Sequence, residues 1–194
     1  LQYHENWKKT IYDQRLLQIL SELFEEPALL YKEKLNFKLP GGNGFTAHQD
    51  APAFATFGQT YHITAMISID DTTKENGCLE MGYGHHNSGL LDMTPEQVLS
   101  ERTIQSIQWE PIETKSGDLL LFDSYIPHRS GPNTTNAPRR AAYITYNPQS
   151  QGDKRQKYYQ DKRAVFPPEI ERVPGKVYQS GLYNIGNPIE TDTM

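Results

Sequence analysis

Three side chains in this sequence could share one metal ion. His48 and Asp50 straddle Gln49 in "GFTAHQDAPAF", a stretch with the composition of a strand. In an extended chain alternate side chains share a face, about 7 Å apart along the backbone, so the pair can grip an ion from one side. A His-x-Asp pair arises by chance in many chains, and a third ligand is needed. His128 supplies it: it follows Pro127 at the end of the most hydrophobic strand region and opens "HRSGPN", where the chain must turn. Two imidazoles and a carboxylate on one side of a metal form a facial triad, whose open positions suit a non-haem iron(II) oxygenase. A dicarboxylate that chelates the metal at one end needs an anchor at the other. Arg139 opens the strand after the His128 loop and can present a planar fork to that carboxylate. Arg140 is the alternative, because strand parity does not choose between them without a register.

The elements that must carry these residues are legible in outline. Between residues 5 and 24 apolar side chains recur at helical spacing (Trp7, Ile11, Leu16, Leu20, Leu23, Phe24), and Pro27 ends the pattern. One or two amphipathic helices covering a sheet are expected. "LYKEKLNFKL" alternates, placing Tyr31, Leu35, Phe37 and Leu39 on one face and Lys32, Lys34, Asn36 and Lys38 on the other. The lysine face reads as solvated in preference to an anion pocket, since lysine is rarely buried unpaired. "PGGNG" forces a turn before the opening motif. Further strand regions are expected at 61–70, 117–131 and 139–148, with a short helix over 94–101 that starts on Thr94 and Pro95. Short strands between turn clusters predict a mainly β fold, a barrel or double-sheet core with flanking α-helices. Tyr61, His62 and Tyr143 are core or pocket wall. His85 and His86 read as loop residues, and Cys78 as packing.

"HQD", "ENGCLEMGYGHH" and "HRSGPNTTNAPRR", in this order, resemble segments of the phytanoyl-CoA dioxygenase-like (PhyH) family over residues 30–148. The resemblance implies a double-stranded β-helix of jelly-roll, cupin-like type, with iron(II), 2-oxoglutarate and O2 as cofactor and cosubstrates. It implies that His48, Asp50 and His128 bind iron, that Arg139 holds the distal carboxylate of 2-oxoglutarate, and that Ser130 assists nearby. Gln49 and Lys34 are further candidates for cosubstrate contacts. An aspartate at position 50, where related halogenases carry a small residue, implies hydroxylation or desaturation with release of succinate and CO2. Two departures are visible: Met66 stands where the family often has Trp, and the loop at Gly82, Tyr83, Gly84 and His85 differs from the family's PGSH-type segment. The stretch "KLNFKLPGGNGFTAHQD" is also similar to oxygenases acting on 2-aminoethylphosphonate-like compounds. Competing classes are a natural-product tailoring oxygenase, a non-catalytic ligand-binding jelly roll, and a zinc hydrolase, for which no positioned general base is evident.

Composition sets the outer bounds. With 194 residues one domain is expected: helical support over 1–29, a β-helix core over 30–148, and a tail over 149–194 that packs on the core. Nineteen Lys+Arg against 24 Asp+Glu leave a formal charge of −5, so no global basic field exists to hold nucleic acid or an anionic membrane. The partner expected is a small polar or anionic molecule, bound by a monomer or homodimer. One cysteine makes no intramolecular disulfide and suits a reducing compartment, so a cytoplasmic location is expected; the sequence opens at Leu1, and a native start can precede it.

Overall fold

The computed structural model describes residues 1, 3–178, 183, 185 and 186. Of the one or two helices expected there are two, α1 (Glu5–Ile11) and α2 (Gln14–Phe24), because the chain turns at Tyr12 and Asp13. The Asp13 side chain accepts from the Arg15 backbone N–H at 2.9 Å and so caps α2. Leu16, Leu20 and Phe24 of α2 are buried against Leu30, Ile63, Ala65, Ile144 and Tyr146 of the sheet beneath. Each such side chain contributes roughly 1.5–3 kcal/mol by leaving water.

Two four-stranded antiparallel sheets face each other. The first has the order β1 (Ala28–Lys38), β8 (Arg139–Pro148), β3 (Ile63–Ser68), β6 (Leu119–Asp123). The second runs β2 (Phe45–His48), β7 (His128–Ser130), β4 (Leu79–Gly82), β5 (Trp109–Ile112). Met66, Phe122 and Ala141 of the first sheet pack on Leu79 and Met81 of the second. This is the expected double-stranded β-helix. The outer face of the first sheet lies under α1 and α2, and α5 (Arg155–Val165) packs on β1.

Three local expectations are corrected. The region 117–131 is two strands, not one: the Asp123 carboxylate accepts from the N–H groups of Tyr125 (2.8 Å) and Ile126 (2.9 Å), and the chain crosses to the other sheet there. His128 therefore opens β7 instead of ending β6. Residues 94–100 form a turn closed by a bridge between Met93 and Leu99, with Gln97 at φ +63°, and helix α4 (Glu101–Ser106) begins directly after it, capped by Ser100. The Ser100 hydroxyl accepts from Thr103 N–H at 3.3 Å, whereas Gln97 in the left-handed region prevents a helix from continuing after Thr94 and Pro95.

The third correction concerns β1. Its pairing with β8 shifts between Leu30 and Lys32, leaving Tyr31 as a bulge that drops into a separate aromatic cluster with Phe54, Phe57 and Tyr158. Beyond the bulge, Lys34 pairs with Tyr143 and Lys38 with Arg139, so the lysine side faces the interior between the sheets. Phe37 and Leu39, on the expected core face, lie beyond the helical cover and are 60% and 59% exposed. The charged face points inward because the interior at this end is a polar cavity.

Candidate metal centre and active site

His48 ends β2, His128 begins β7, and the two residues are direct cross-strand partners. Their rings lie 4.2 Å apart between centroids. Asp50 follows in the turn into α3 (Pro52–Ala55), where Ala53 N–H donates to its carbonyl at 3.0 Å. One donor atom from each of His48, Asp50 and His128 lies within 4.8 Å of the others, and His48 Nε2 is 3.8 Å from Asp50 Oδ1.

The tautomers follow from the backbone. His48 Nδ1 lies 2.7 Å from Thr46 O, and His128 Nδ1 lies 3.0 Å from Ile126 O. A carbonyl only accepts, so both Nδ1 atoms carry the proton and both Nε2 lone pairs face the shared centre. Burial and the adjacent His128 lower the His48 imidazole to about 3, against the pull of Asp50. Burial alone would raise the Asp50 carboxyl, but His128, Lys32, His48 and Lys34 hold it well below the usual carboxylate range. A neutral His48 and an ionised Asp50 are ready to take a divalent cation without first losing a proton.

The centre opens into a cavity of about 700 Å³, counting its mouth. Lys32, Lys34 and Asn36 form one side, Tyr143, Thr145 and Phe122 continue it, and Phe45 and Leu79 face them from the second sheet. Lys32 Nζ sits 4.5 Å over the Phe54 ring and 6.0 Å over that of Tyr158. Burial lowers the Lys32 ammonium to about 8, and Asp50 opposes that shift. Lys34 Nζ lies between the rings of Tyr143 (5.5 Å) and Phe45 (5.6 Å) and keeps accessible surface because the cavity it lines is open.

A second cationic group lies beside Tyr143. Lys38 Nζ donates to Ser130 Oγ (2.8 Å), Gly131 O (2.5 Å) and Gly77 O (3.2 Å), and Arg139 also donates to Gly77 O. Gly77 has φ +74°, and a Cβ there would meet Lys38 Nζ at 2.6 Å, which is why this backbone can serve both cations only as glycine. Arg139 lies near enough to Tyr143 to oppose the rise that burial gives its hydroxyl, and the Arg139 Nε is buried without a hydrogen-bond partner. An unpaired buried donor costs about 1–3 kcal/mol, and an incoming carboxylate would relieve it. The donor set of the triad and this waiting guanidinium fit iron(II) and a dicarboxylate.

The structure thus brings together His48, Asp50, His128 and Lys34 around one cavity, with Arg139 and Ser130 buried behind Tyr143 and Phe45. Arg140 points the other way: its Nε and terminal nitrogen hold Asp70 at 2.8 and 2.7 Å on the outer face. Gln49 is a correction. Alternation turns it away from the cavity, where its amide donates to Gly89 O (3.0 Å) and Tyr125 O (2.5 Å) and accepts from Leu91 N–H at 2.9 Å. It pins a loop to the ligand strand and has no hydrogen-bonding capacity aimed at a cosubstrate. His62 is core, bonded to Gln59 at 3.1 Å. Lys32, Asn36, Lys38 and Asn133 were not singled out by sequence as site residues. Asn133 donates to Lys38 O (2.9 Å) and Ala137 O (2.8 Å), bracing the loop that carries Arg139. The inward lysine parity was detectable only by noticing that Lys38 shares β8's register with Arg139.

The PhyH family, described as phytanoyl-CoA dioxygenase, matches residues 1–141. The chain belongs to this family. It is 49% identical over 192 residues to a 2-aminoethylphosphonate dioxygenase from uncultured bacterium HF130_AEPn_1, covering 98% of this chain and 73% of that one. A methylphosphonate hydroxylase from Gimesia maris is 42% identical over 166 residues, 86% of this chain and 63% of the relative. Among solved structures, EctD from S. alaskensis with 2-oxoglutarate and 5-hydroxyectoine superposes with a TM-score of 0.68 at 24% identity, covering 74% of this chain and 52% of that one. The chain therefore spans between about half and three quarters of these proteins. As a PhyH member with this donor set, it is a non-haem iron(II)- and 2-oxoglutarate-dependent dioxygenase. Among the described residues no helix is long and apolar enough to cross a membrane.

Proposed function

We propose that this chain hydroxylates a C–H bond of a small phosphonate or similar anion, with release of succinate and CO2. The supporting observation is the separation of two cationic groups: Arg139 and Lys38 on one side of Tyr143, and Lys32 and Lys34 beside the triad. One suits the distal carboxylate of 2-oxoglutarate, the other a substrate anion. The names of the two phosphonate oxygenases among its relatives point the same way.

His48, Asp50 and His128 would hold the metal through two imidazoles and one carboxylate. Bound iron(II) with its 2-oxo acid supplies the oxidising chemistry. The protein's own part is geometric. The Thr46 and Ile126 carbonyls orient the imidazoles, Arg139 fixes the cosubstrate's far end, and Lys32, stiffened between two aromatic faces, fixes the substrate's anionic end. Phe45 and Phe122 exclude water from the reacting carbon. We read the chain as one cytoplasmic catalytic domain, monomeric or dimeric. The test is an anaerobic iron(II) and 2-oxoglutarate titration watched for the visible charge-transfer band, followed by succinate release in air with 2-aminoethylphosphonate, methylphosphonate and matched carboxylates. Succinate stimulated by a phosphonate is the expected result. Stimulation by the carboxylates alone would remove the phosphonate assignment, and binding without succinate across the panel would favour a non-catalytic module.

A further inference from the structure

β2, which carries His48, is an edge strand of its sheet. Its Thr46 peptide is nevertheless engaged on both sides. The carbonyl accepts from His48 Nδ1, and the N–H donates to Gly186 O at 2.7 Å. Gly186 comes from the far C-terminal region, beyond the residue at which the family match ends. It is buried, has φ +76°, and lies close against the imidazole. A Cβ there would sit 2.6 Å from His48 Cε1 and closer still to Nδ1. The ring could yield only by breaking the bond to Thr46 that sets its tautomer. Ile185 and Tyr183 line the cavity beside the triad, and the Tyr183 ring lies 5.6 Å from Tyr158, one of the two rings beneath Lys32.

We propose that these three residues belong to the active site: Gly186 positions the metal ligand His48, and Tyr183 and Ile185 form the wall that limits substrate size. Ile185 and Gly186 thereby form a strap that ties the cavity wall to the orientation of a ligand. This inference rests on the metal-centre reading above, and its wall component on the phosphonate reading. Glycine is required at position 186 both for its left-handed backbone and because no side chain fits against the imidazole.

The test compares the full-length wild type with Gly186→Ala and Ile185→Ala, using Co(II) absorbance as the probe of the metal centre and circular dichroism for the fold. Gly186→Ala is expected to keep the wild-type circular dichroism spectrum with a melting point lowered by several degrees, and to bind Co(II) about 10-fold more weakly, the effect usual for a lost orienting contact to a metal ligand. Wild-type Co(II) affinity in that variant overturns the positioning role. Ile185→Ala is expected to keep Co(II) and 2-oxoglutarate binding while the KM for 2-aminoethylphosphonate rises several-fold and bulkier phosphonates begin to stimulate succinate release. An unchanged KM with unchanged selectivity overturns the wall. Should Gly186→Ala fail to fold, Ile185→Ala decides the wall, and Gly186→Asn, which tolerates the left-handed backbone, replaces Gly186→Ala in the Co(II) comparison. A wild-type chain that takes up no Co(II) sinks the metal centre and the strap together. If the wild type binds Co(II) but does not turn over phosphonates, only the substrate reading fails, and Gly186→Ala still decides the strap.

Discussion

Each imidazole of the triad is aimed by the carbonyl two residues before it, so the short motif carries both the ligand and the group that orients it. Asp50 supplies the negative charge of the set. Asp50→Ala should abolish iron retention and substrate-coupled succinate; metal analysis beside a succinate assay checks this, and full turnover would remove Asp50 from the centre. Arg139→Ala should raise the 2-oxoglutarate requirement more than ~10-fold with iron content intact, because a buried fork to a carboxylate is lost. Arg140→Ala should leave that requirement unchanged, because its solvent-screened pair with Asp70 lies on the outer face. Lys32 gives a pH signature. Its ammonium, ordinarily near 10.5, is lowered to about 8, so its positive charge is present below that pH and lost above it. The KM for an anionic substrate should therefore climb as pH rises through about 8, and Lys32→Met should raise KM and flatten the profile.

At the level of elements, the departures from expectation share a cause: the sequence pattern reports alternation, not which side of a sheet is wet. The bulge at Tyr31 lets one strand serve a helix-covered core at Leu30 and a cationic cavity from Lys32 onward. The crossing at Asp123 likewise divides one hydrophobic run between two sheets, and that division puts His128 opposite His48. The helices stabilise this arrangement from outside. Tyr146 donates to the Ile11 carbonyl at 2.7 Å in the buried seam between β8 and α1. Tyr146→Phe leaves that carbonyl unpaired and should cost about 1–3 kcal/mol in denaturant unfolding while KM values stay as in wild type.

Over the whole molecule, a chain of formal charge −5 concentrates cations in one internal cavity. Composition excluded a global basic field and could say nothing about this local one. Because iron binds the folded triad and not the unfolded chain, free metal at 100 times its Kd should stabilise by about 2.7 kcal/mol. For a domain of this size that corresponds to ~5–10 °C in Tm, so chelation should lower the melting point by that amount. A Tm indifferent to chelator and added iron would mean that the metal holds nothing together.

The sequence by itself determined the mainly β core, the helical cover and which three side chains could share a metal, because these depend on residue type, order and short-range spacing. It chose Arg139 and kept Arg140 as the alternative for want of a register, read the lysine face as solvated, offered Gln49 to the cavity and assigned no role to Gly186. Each of those depends on strand register, on a single bulge, or on a contact between residues far apart in the chain. Only tertiary structure decides such things, since the side of a strand that meets water or ligand is set by what packs against it.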